Sequence, residues 1–315
     1  MTIREETIND HNLAKLDAYQ ESCAPCQLLQ SSKWLKFQEA VGHTPHLFYI
    51  EDTNIYFSAF EYTLPFGKKY YYIPRGPFLA DTNVWKEFLK EFKKTLIGKN
   101  IMFVRFEPDA SYQEKITKHI ADLQPSRTFY TDLEQEEKDL LSNMHPKTRY
   151  NIRLSLKKGL GFLYKDSDVD GFIRLMKETS ARDNFTSHSS EYYRKMIESG
   201  AAQLATIKDN KQILAAGIFA TFGNTMTYLH GASSSNKREV MAPFALHWEM
   251  MMYAKSEGLK HYDWHGVDSL KWPGFTRFKR GFGGYDVVYP GAFDLILETA
   301  AYTGYTVVRS LRRLF

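Results

Sequence analysis

Cysteine is nearly missing from this chain, with Cys23 and Cys26 the only two among 315 residues. A disulfide-stapled secreted scaffold is thereby excluded. The pair reads Cys23-Ala-Pro-Cys26, and a lone CxxC is half a zinc site or a redox pair at most. Zinc needs two more ligands, and the ten histidines offer no HxxxH partner near the cysteines. A thioredoxin-type pair opens a helix after a strand, whereas this one sits in an irregular stretch, so two reduced structural thiols and no metal are expected. Long apolar runs are missing too, none approaching the ~18 residues of a membrane span. Residues 1–6 lack an apolar h-region, so no secretory signal is expected and a soluble, cytoplasmic protein is. No Walker A loop, GxSxG elbow, HExxH motif or dinucleotide GxGxxG occurs. Acidic and basic residues nearly cancel to a net +4, too little for a generic polyanion binder, and DNA is not an expected partner.

What the chain does have is bulk and aromaticity. At 43% hydrophobic content it can bury a substantial core and is expected to form two domains. Its 22 Phe, 20 Tyr and 5 Trp suit mixed sheets and stacking surfaces equally, and do not choose between them. Charge is informative only locally. Residues 147–159 carry five basic side chains and no acid. At helical period Arg149, Arg153 and Lys157 stack at i, i+4 and i+8, beside an apolar ridge of Ile152 and Leu156. Like charges at that spacing cost helix stability, so the stripe is either a solvated face or a surface for an anion, phosphate above all. Two more cationic patches are Lys271, Arg277, Lys279 and Arg280, again without an acid, and the terminal segment 309–313.

Strand-like runs at 47–50, 55–64, 69–73 and 101–106 alternate with helical patterns at 32–40, 84–96 and 112–123. Residues 127–133 read as another strand and 136–144 as an acidic helix. After the basic helix come strand 161–164, helices 169–179 and 190–198, and strands 202–208, 212–222 and 225–231. Helix 242–257, strand 261–264 and a last strand at 286–289 complete the second series. Asp209-Asn210 and Gly223-Asn224 supply hairpin turns. The pattern predicts an α/β (α+β) chain of two similar domains, 1–145 and 146–294. A last helix over about 295–315 is expected to pack back on the first domain. An amphipathic contact with anionic lipid at the inner membrane face is its other reading.

Several punctuated segments stand at strand ends. Tyr72-Ile-Pro-Arg-Gly-Pro77 holds Arg75 between prolines, and Arg105-Phe-Glu-Pro-Asp109 places Glu107 and Asp109 at another strand's exit. Structural turns account for both as well as ligand contact does. Residues 274–284 alternate cations, aromatics and glycines, reading either as a basic surface hairpin or as a loop bringing cations to phosphate or an oxyanion. Arg280-Gly-Phe-Gly-Gly-Tyr285 approaches the acetyltransferase loop for coenzyme A pyrophosphate, but Tyr285 replaces its final small residue.

In chain order, Leu28-Leu-Gln-Ser-Ser-Lys-Trp34, Lys147-Thr-Arg-Tyr-Asn-Ile-Arg153, Glu178-Thr-Ser-Ala-Arg182, Tyr228-Leu-His-Gly-Ala-Ser-Ser234, Met241-Ala-Pro243, Tyr262-Asp263 with Gly266, and Phe278-Lys-Arg-Gly-Phe-Gly-Gly284 resemble the Fem family of peptidoglycan-bridge aminoacyltransferases. Each motif is modest alone, and the resemblance spans about residues 28–294. It implies two tandem GNAT-like (acyl-CoA N-acyltransferase-like) domains with a substrate cleft between them. The implied reaction moves an amino acid from aminoacyl-tRNA to an amine on the stem peptide of UDP-MurNAc-pentapeptide or its lipid-linked form. No cofactor is implied beyond aminoacyl-tRNA as co-substrate. No charged heptad insertion is visible, so the chain resembles the form without a coiled-coil arm.

An aminoacyl ester is already activated, so its attack by an amine requires neither metal nor covalent intermediate. The amine must be neutral although its free pKa is about 10.4. A fixed cation at the developing oxyanion contributes about 2.7–4 kcal/mol. Resemblance assigns that role to Lys279, and matches Arg182 and Tyr228, the latter the second catalytic candidate, to positions used around the precursor. Lys36, with Lys33 as its rival, is expected to hold a precursor phosphate. Arg75, Glu107 and Asp109 are further precursor-binding candidates, either Glu107 or Asp109 orienting the amine. Arg149, Arg153 and Lys157, with Arg277 and Arg280, are expected to hold the tRNA backbone, which needs cations and no base reading. The rival readings are an N-acyltransferase using acyl-coenzyme A and a tRNA- or precursor-binding protein without catalysis.

Overall fold

The computed structural model describes residues 1–79, 81–108, 112 and 117–311. It divides into two compact units, one formed by residues 1–126 with 288–315 and the other by 127–287. Where the sequence places the seam at 145/146, the structure places it at 126/127, because the strand starting at Arg127 pairs inside the second unit.

The first unit holds β1 (Ile3–Glu6), α1 (Asp10–Ser22), α2 (Ser32–Ala40), β2 (Thr44–Ile50), β3 (Tyr56–Thr63), β4 (Lys69–Ile73), α3 (Trp85–Thr95), β5 (Ile101–Phe106) and β6 (Lys118–Ile120). The second holds β7 (Arg127–Asp132), α4 (Glu137–Asn143), α5 (Pro146–Leu156), β8 (Gly161–Tyr164), α6 (Val169–Asp183), α7 (Ser190–Glu198), β9 (Gln203–Asp209), β10 (Gln212–Phe222), β11 (Thr225–Ser233), α8 (Ala242–Ser256), β12 (His261–Asp263), α9 (Pro273–Arg280) and β13 (Tyr285–Val288). The chain then returns to the first unit with β14 (Ala292–Ile296) and α10 (Thr299–Leu311).

Each unit is built on a seven-stranded sheet, in the orders β1-β2-β3-β4-β5-β14-β6 and β13-β7-β12-β11-β10-β9-β8. In both, an antiparallel meander passes through one crossover helix into a parallel neighbour. The first crosses by α3 from β4 to β5, the second by α8 from β11 to β12. A parallel neighbour cannot be reached by a tight hairpin, so the crossover helix is obligatory, and it covers one sheet face. On α3, Trp85, Phe88, Leu89 and Phe92 lie one helical turn apart and pack on Phe48, Phe57, Val104 and Phe106. On α8, Ala245, Leu246, Met250, Met251 and Ala254 pack on Ile207, Phe219, Met226, Tyr262 and Trp264.

Three expectations for the ends of elements change. Residues 274–284, read as a loop, contain α9, opened by Pro273 in its first turn. The last helix begins at Thr299 rather than near 295, because Ala292–Ile296 is a strand between β5 and β6. The helix expected at 112–123 contains β6, and residues 109–111 and 113–116 lie outside the described residues. On α10, Tyr302 and Tyr305 pack on Phe103 of the first unit. Cys23 and Cys26 are buried after α1 and form no disulfide, their thiols donating to the carbonyls of Tyr19 and Glu21.

Strand β14 carries an acid into the core. Asp294 is fully buried and takes two hydrogen bonds of 2.8 Å from Arg105 Nε and Nη2, plus one of 2.7 Å from the Tyr302 hydroxyl. Removing one partner strands a buried charge. Asp294→Ala is therefore expected to cost about 3–5 kcal/mol in urea unfolding, and the double change Arg105→Met/Asp294→Leu clearly less. A single variant no less stable than the double would show the pair to be dispensable.

Candidate active site

Four elements of the second unit converge on Lys279. Strand β12 ends at Asp263, whose side chain takes hydrogen bonds from Thr128 Oγ1 and from the His265 backbone N–H. His265 adopts a left-handed backbone with φ of 52°. This turn aims three successive carbonyls inward. Lys279, on the last turn of α9 and 3% exposed, reaches them all: Nζ donates to Trp264 O at 2.5 Å and to His265 O and Gly266 O at 2.8 Å.

Aromatic rings wall this ammonium. Its nitrogen lies 4.2 Å from the centroid of Phe275 and 5.6 Å from that of Tyr228. Burial pushes the Lys279 pKa down to about 7, with Asp263 opposing. The three carbonyls favour the ammonium as well. Tyr228, on β11, is buried, and burial pushes its phenol up, so the hydroxyl is protonated at neutral pH. Among the described residues that hydroxyl has no hydrogen-bond partner. Its ring meets His247 of α8 edge-on at 4.5 Å. His247 shares a 2.7 Å hydrogen bond through Nδ1 with the Tyr262 hydroxyl, and burial together with Lys279 holds its pKa well below the usual range. The imidazole is therefore neutral.

Two glycines make the arrangement possible. A Cβ at Gly231 would stand 1.7 Å from the Tyr228 hydroxyl oxygen, and one at Gly284, where φ is 144°, only 2.0 Å from Tyr130 O. The Phe282-Gly283-Gly284 turn can thus follow α9 closely onto β7.

The other expected site residues fall into separate groups. Arg149 belongs to no free stripe: its Nη1 donates to the carbonyls of Leu141, Ser142 and Met144, covering the open C-terminal end of α4. Arg153 and Lys157 are exposed, so the cationic face of α5 is narrower than its spacing implies, and Leu156 of the expected apolar ridge is exposed as well. On α9, Arg277 is exposed, whereas Arg280 is bound to Asp286 at 2.8 Å, which Arg127 shares at 3.0 Å. Arg182 is tied to the end of β11 through Ser233 O at 2.7 Å and to its neighbour Asp183 at 2.9 Å.

In the first unit, Arg75 and Glu107 belong to one buried network. Glu107, 2% exposed, accepts from Tyr72 at 2.9 Å, Gln124 N–H at 2.7 Å and Arg75 N–H at 3.4 Å. Burial raises its pKa while Arg75 opposes that shift. The Arg75 guanidinium lies 3.6 Å over the Tyr289 ring and donates to Pro125 O at 2.5 Å. Both groups hold strand exits together. Lys36 and its rival Lys33 are exposed on α2, and Asp109 lies outside the described residues.

Sequence reasoning missed His247 and Phe275. Neither lies in a chemical motif: His247 sits inside an apolar helix and Phe275 in what reads as a loop. The i, i+4 spacing of Phe275 and Lys279 is the one available signal, and it has meaning only once α9 is known to be a helix.

Comparison with known proteins bears on the family and the fold. The FemAB family model matches residues 13–121, 114–207 and 198–310. The lipid II:glycine glycyltransferase of Staphylococcus haemolyticus is 22% identical, covering 91% of this chain and 92% of that protein. The UDP-N-acetylmuramoylpentapeptide-lysine N(6)-alanyltransferase of Weissella viridescens is 23% identical over 65% of this chain and 68% of its own. Among solved structures, FemX superposes with a TM-score of 0.80 at 20% identity, over 95% of this chain and 99% of that one. A tandem GNAT protein from the clavulanic acid pathway gives 0.53 at 8% identity over 94% and 98%, so the doubled sheet plan is that of tandem acetyltransferases. With the family model spanning nearly the whole chain, this protein belongs to the FemAB family.

Proposed function

We propose that this chain transfers an amino acid from aminoacyl-tRNA to an amine on the stem peptide of a peptidoglycan precursor, building interpeptide bridges. Relatives named as glycyl- and alanyltransferases acting on such precursors support the aminoacyl transfer. One observation of geometry carries the chemistry. Lys279 and Tyr228 share a cluster in which the ammonium is fully hydrogen-bonded and the phenol has no partner among the described residues.

That division of labour refines the roles. With its three protons on carbonyls, Lys279 acts by its charge and by fixing the 264–266 turn. Tyr228 is the donor free to serve the tetrahedral oxyanion or the departing ribose oxygen. Its high pKa keeps the proton available. The amine attacks the ester carbonyl, its proton passes to the ribose oxygen, and the ester C–O bond breaks as the amide forms. Lys36 and Arg182 hold the precursor, and Arg153, Lys157 and Arg277 hold the tRNA acceptor backbone.

Transfer from a panel of labelled aminoacyl-tRNAs to the soluble and lipid-linked precursors, scored by mass, tests this function. Absence of product with every donor, or turnover of acyl-coenzyme A instead, would reject it. In the same assay, neutralising Arg153 and Lys157 to Gln is expected to weaken tRNA use and to flatten the slope of log affinity against log salt by about 1–2. An unchanged slope makes the stripe a solvated face.

A further inference from the structure

A second cationic site lies in the first unit, between β6 and α10. A cavity of about 230 Å³ there is lined by Arg105, Lys118, His119, Tyr305, Thr306 and Arg309 with three further residues, and among the described residues no carboxylate lines it. Arg105 spends Nε and Nη2 on Asp294, so that pair is neutral as a unit. Lys118 and Arg309 are different. Among the described residues neither side chain has a hydrogen-bond or ion-pair partner, and the Lys118 ammonium lies 5.4 Å from the centroid of the Tyr302 ring. Arg309 is half-buried, where an unpaired guanidinium is costly. The Tyr305 hydroxyl is also unpartnered among the described residues.

We infer that this cavity is an anion site that takes a phosphate group, held by the Arg309 guanidinium and the Lys118 ammonium. A guanidinium fork and a point charge flanked by hydroxyls match the several acceptor oxygens of phosphate. At ~30 Å³ for each water, the volume equals roughly seven to eight waters, room for a phosphate bearing a glycerol-sized group. Val307 and Val308, 54% and 50% exposed, directly precede Arg309. The phosphate therefore comes either from a phospholipid headgroup, with the valines against the acyl boundary, or from a small phosphate ester in solution.

Titration of the full chain with glycerol 3-phosphate, read by phosphorus NMR, and flotation with phosphatidylglycerol or phosphatidylcholine vesicles separate the two sources. Wild type is expected to bind glycerol 3-phosphate, and Lys118→Gln/Arg309→Gln to bind it about tenfold more weakly or less. Aminoacyl transfer to the soluble precursor is expected to be unchanged in that variant. Flotation with phosphatidylglycerol alone, displaced by glycerol 3-phosphate, supports the site with a lipid source. Binding of the ester without flotation supports it with a soluble one. Equal binding by variant and wild type, no binding by wild type, or flotation that glycerol 3-phosphate does not displace would each overturn it.

Discussion

Lys279→Met is expected to lower kcat for transfer by about 10²–10³-fold, the value of one fixed charge-stabilising group at a developing oxyanion. Precursor affinity should change little, since the precursor-holding candidates lie on other elements. The substitution has a structural cost as well. It leaves the carbonyls of Trp264, His265 and Gly266 without their shared donor, and an unsatisfied buried carbonyl costs about 1–3 kcal/mol. Removing a desolvated ammonium offsets part of this. Circular dichroism and an unfolding curve must therefore accompany the rate. A folded variant with turnover near wild type would remove Lys279 from the mechanism.

The depressed pKa of Lys279 gives the same assignment a pH signature. Transfer that depends on the ammonium declines as pH rises through about 7, on top of the gain from deprotonating the acceptor amine. Stability moves the other way. Above that folded-state value and below the unfolded value of about 10.4, the unfolded chain binds the additional proton, so folding becomes more favourable as pH rises through the window. In Lys279→Met both dependences disappear together.

Much of the doubled plan was legible because its sheets follow simple patterns. The runs at 69–73, 101–106, 161–164 and 212–222 match β4, β5, β8 and β10 to the residue, bounded by turn residues and rich in branched or aromatic side chains. Helix α1 escaped notice because Asn12 and Gln20 share its buried face with Leu13 and Leu16, which breaks the apolar period. Strand β14 was hidden by Asp294, an acid whose burial makes sense only beside Arg105, distant in sequence. The cationic stripe was overread for a related reason. Helical spacing tells which side chains share a face, but not that Arg149 turns back to cover the end of α4. Lys279 was found through its motif. The three carbonyls that saturate it come from a turn whose left-handed His265 is not marked in the sequence, because non-glycine residues adopt that conformation in only a few per cent of cases.

Tyr228→Phe separates chemistry from structure more cleanly than any change at Lys279. The hydroxyl it removes has no internal partner among the described residues, so its loss leaves nothing unsatisfied, and the ring keeps its contacts with His247 and Phe219. Stability should stay within about 0.5 kcal/mol of wild type, because no internal hydrogen bond is lost. If the phenol donates to the oxyanion or the ribose oxygen, kcat falls by about 10²-fold, the lower bound for a positioned acid, while KM for both substrates holds. A rise in KM at constant kcat would instead make Tyr228 a binding contact. Full activity would leave the site without a free donor and return Lys279 to that role, with one of its protons withdrawn from the 264–266 turn. Phe has no phenolic proton, so a pH limb retained in this variant belongs to Lys279, and the two residues can be assigned from one pair of profiles.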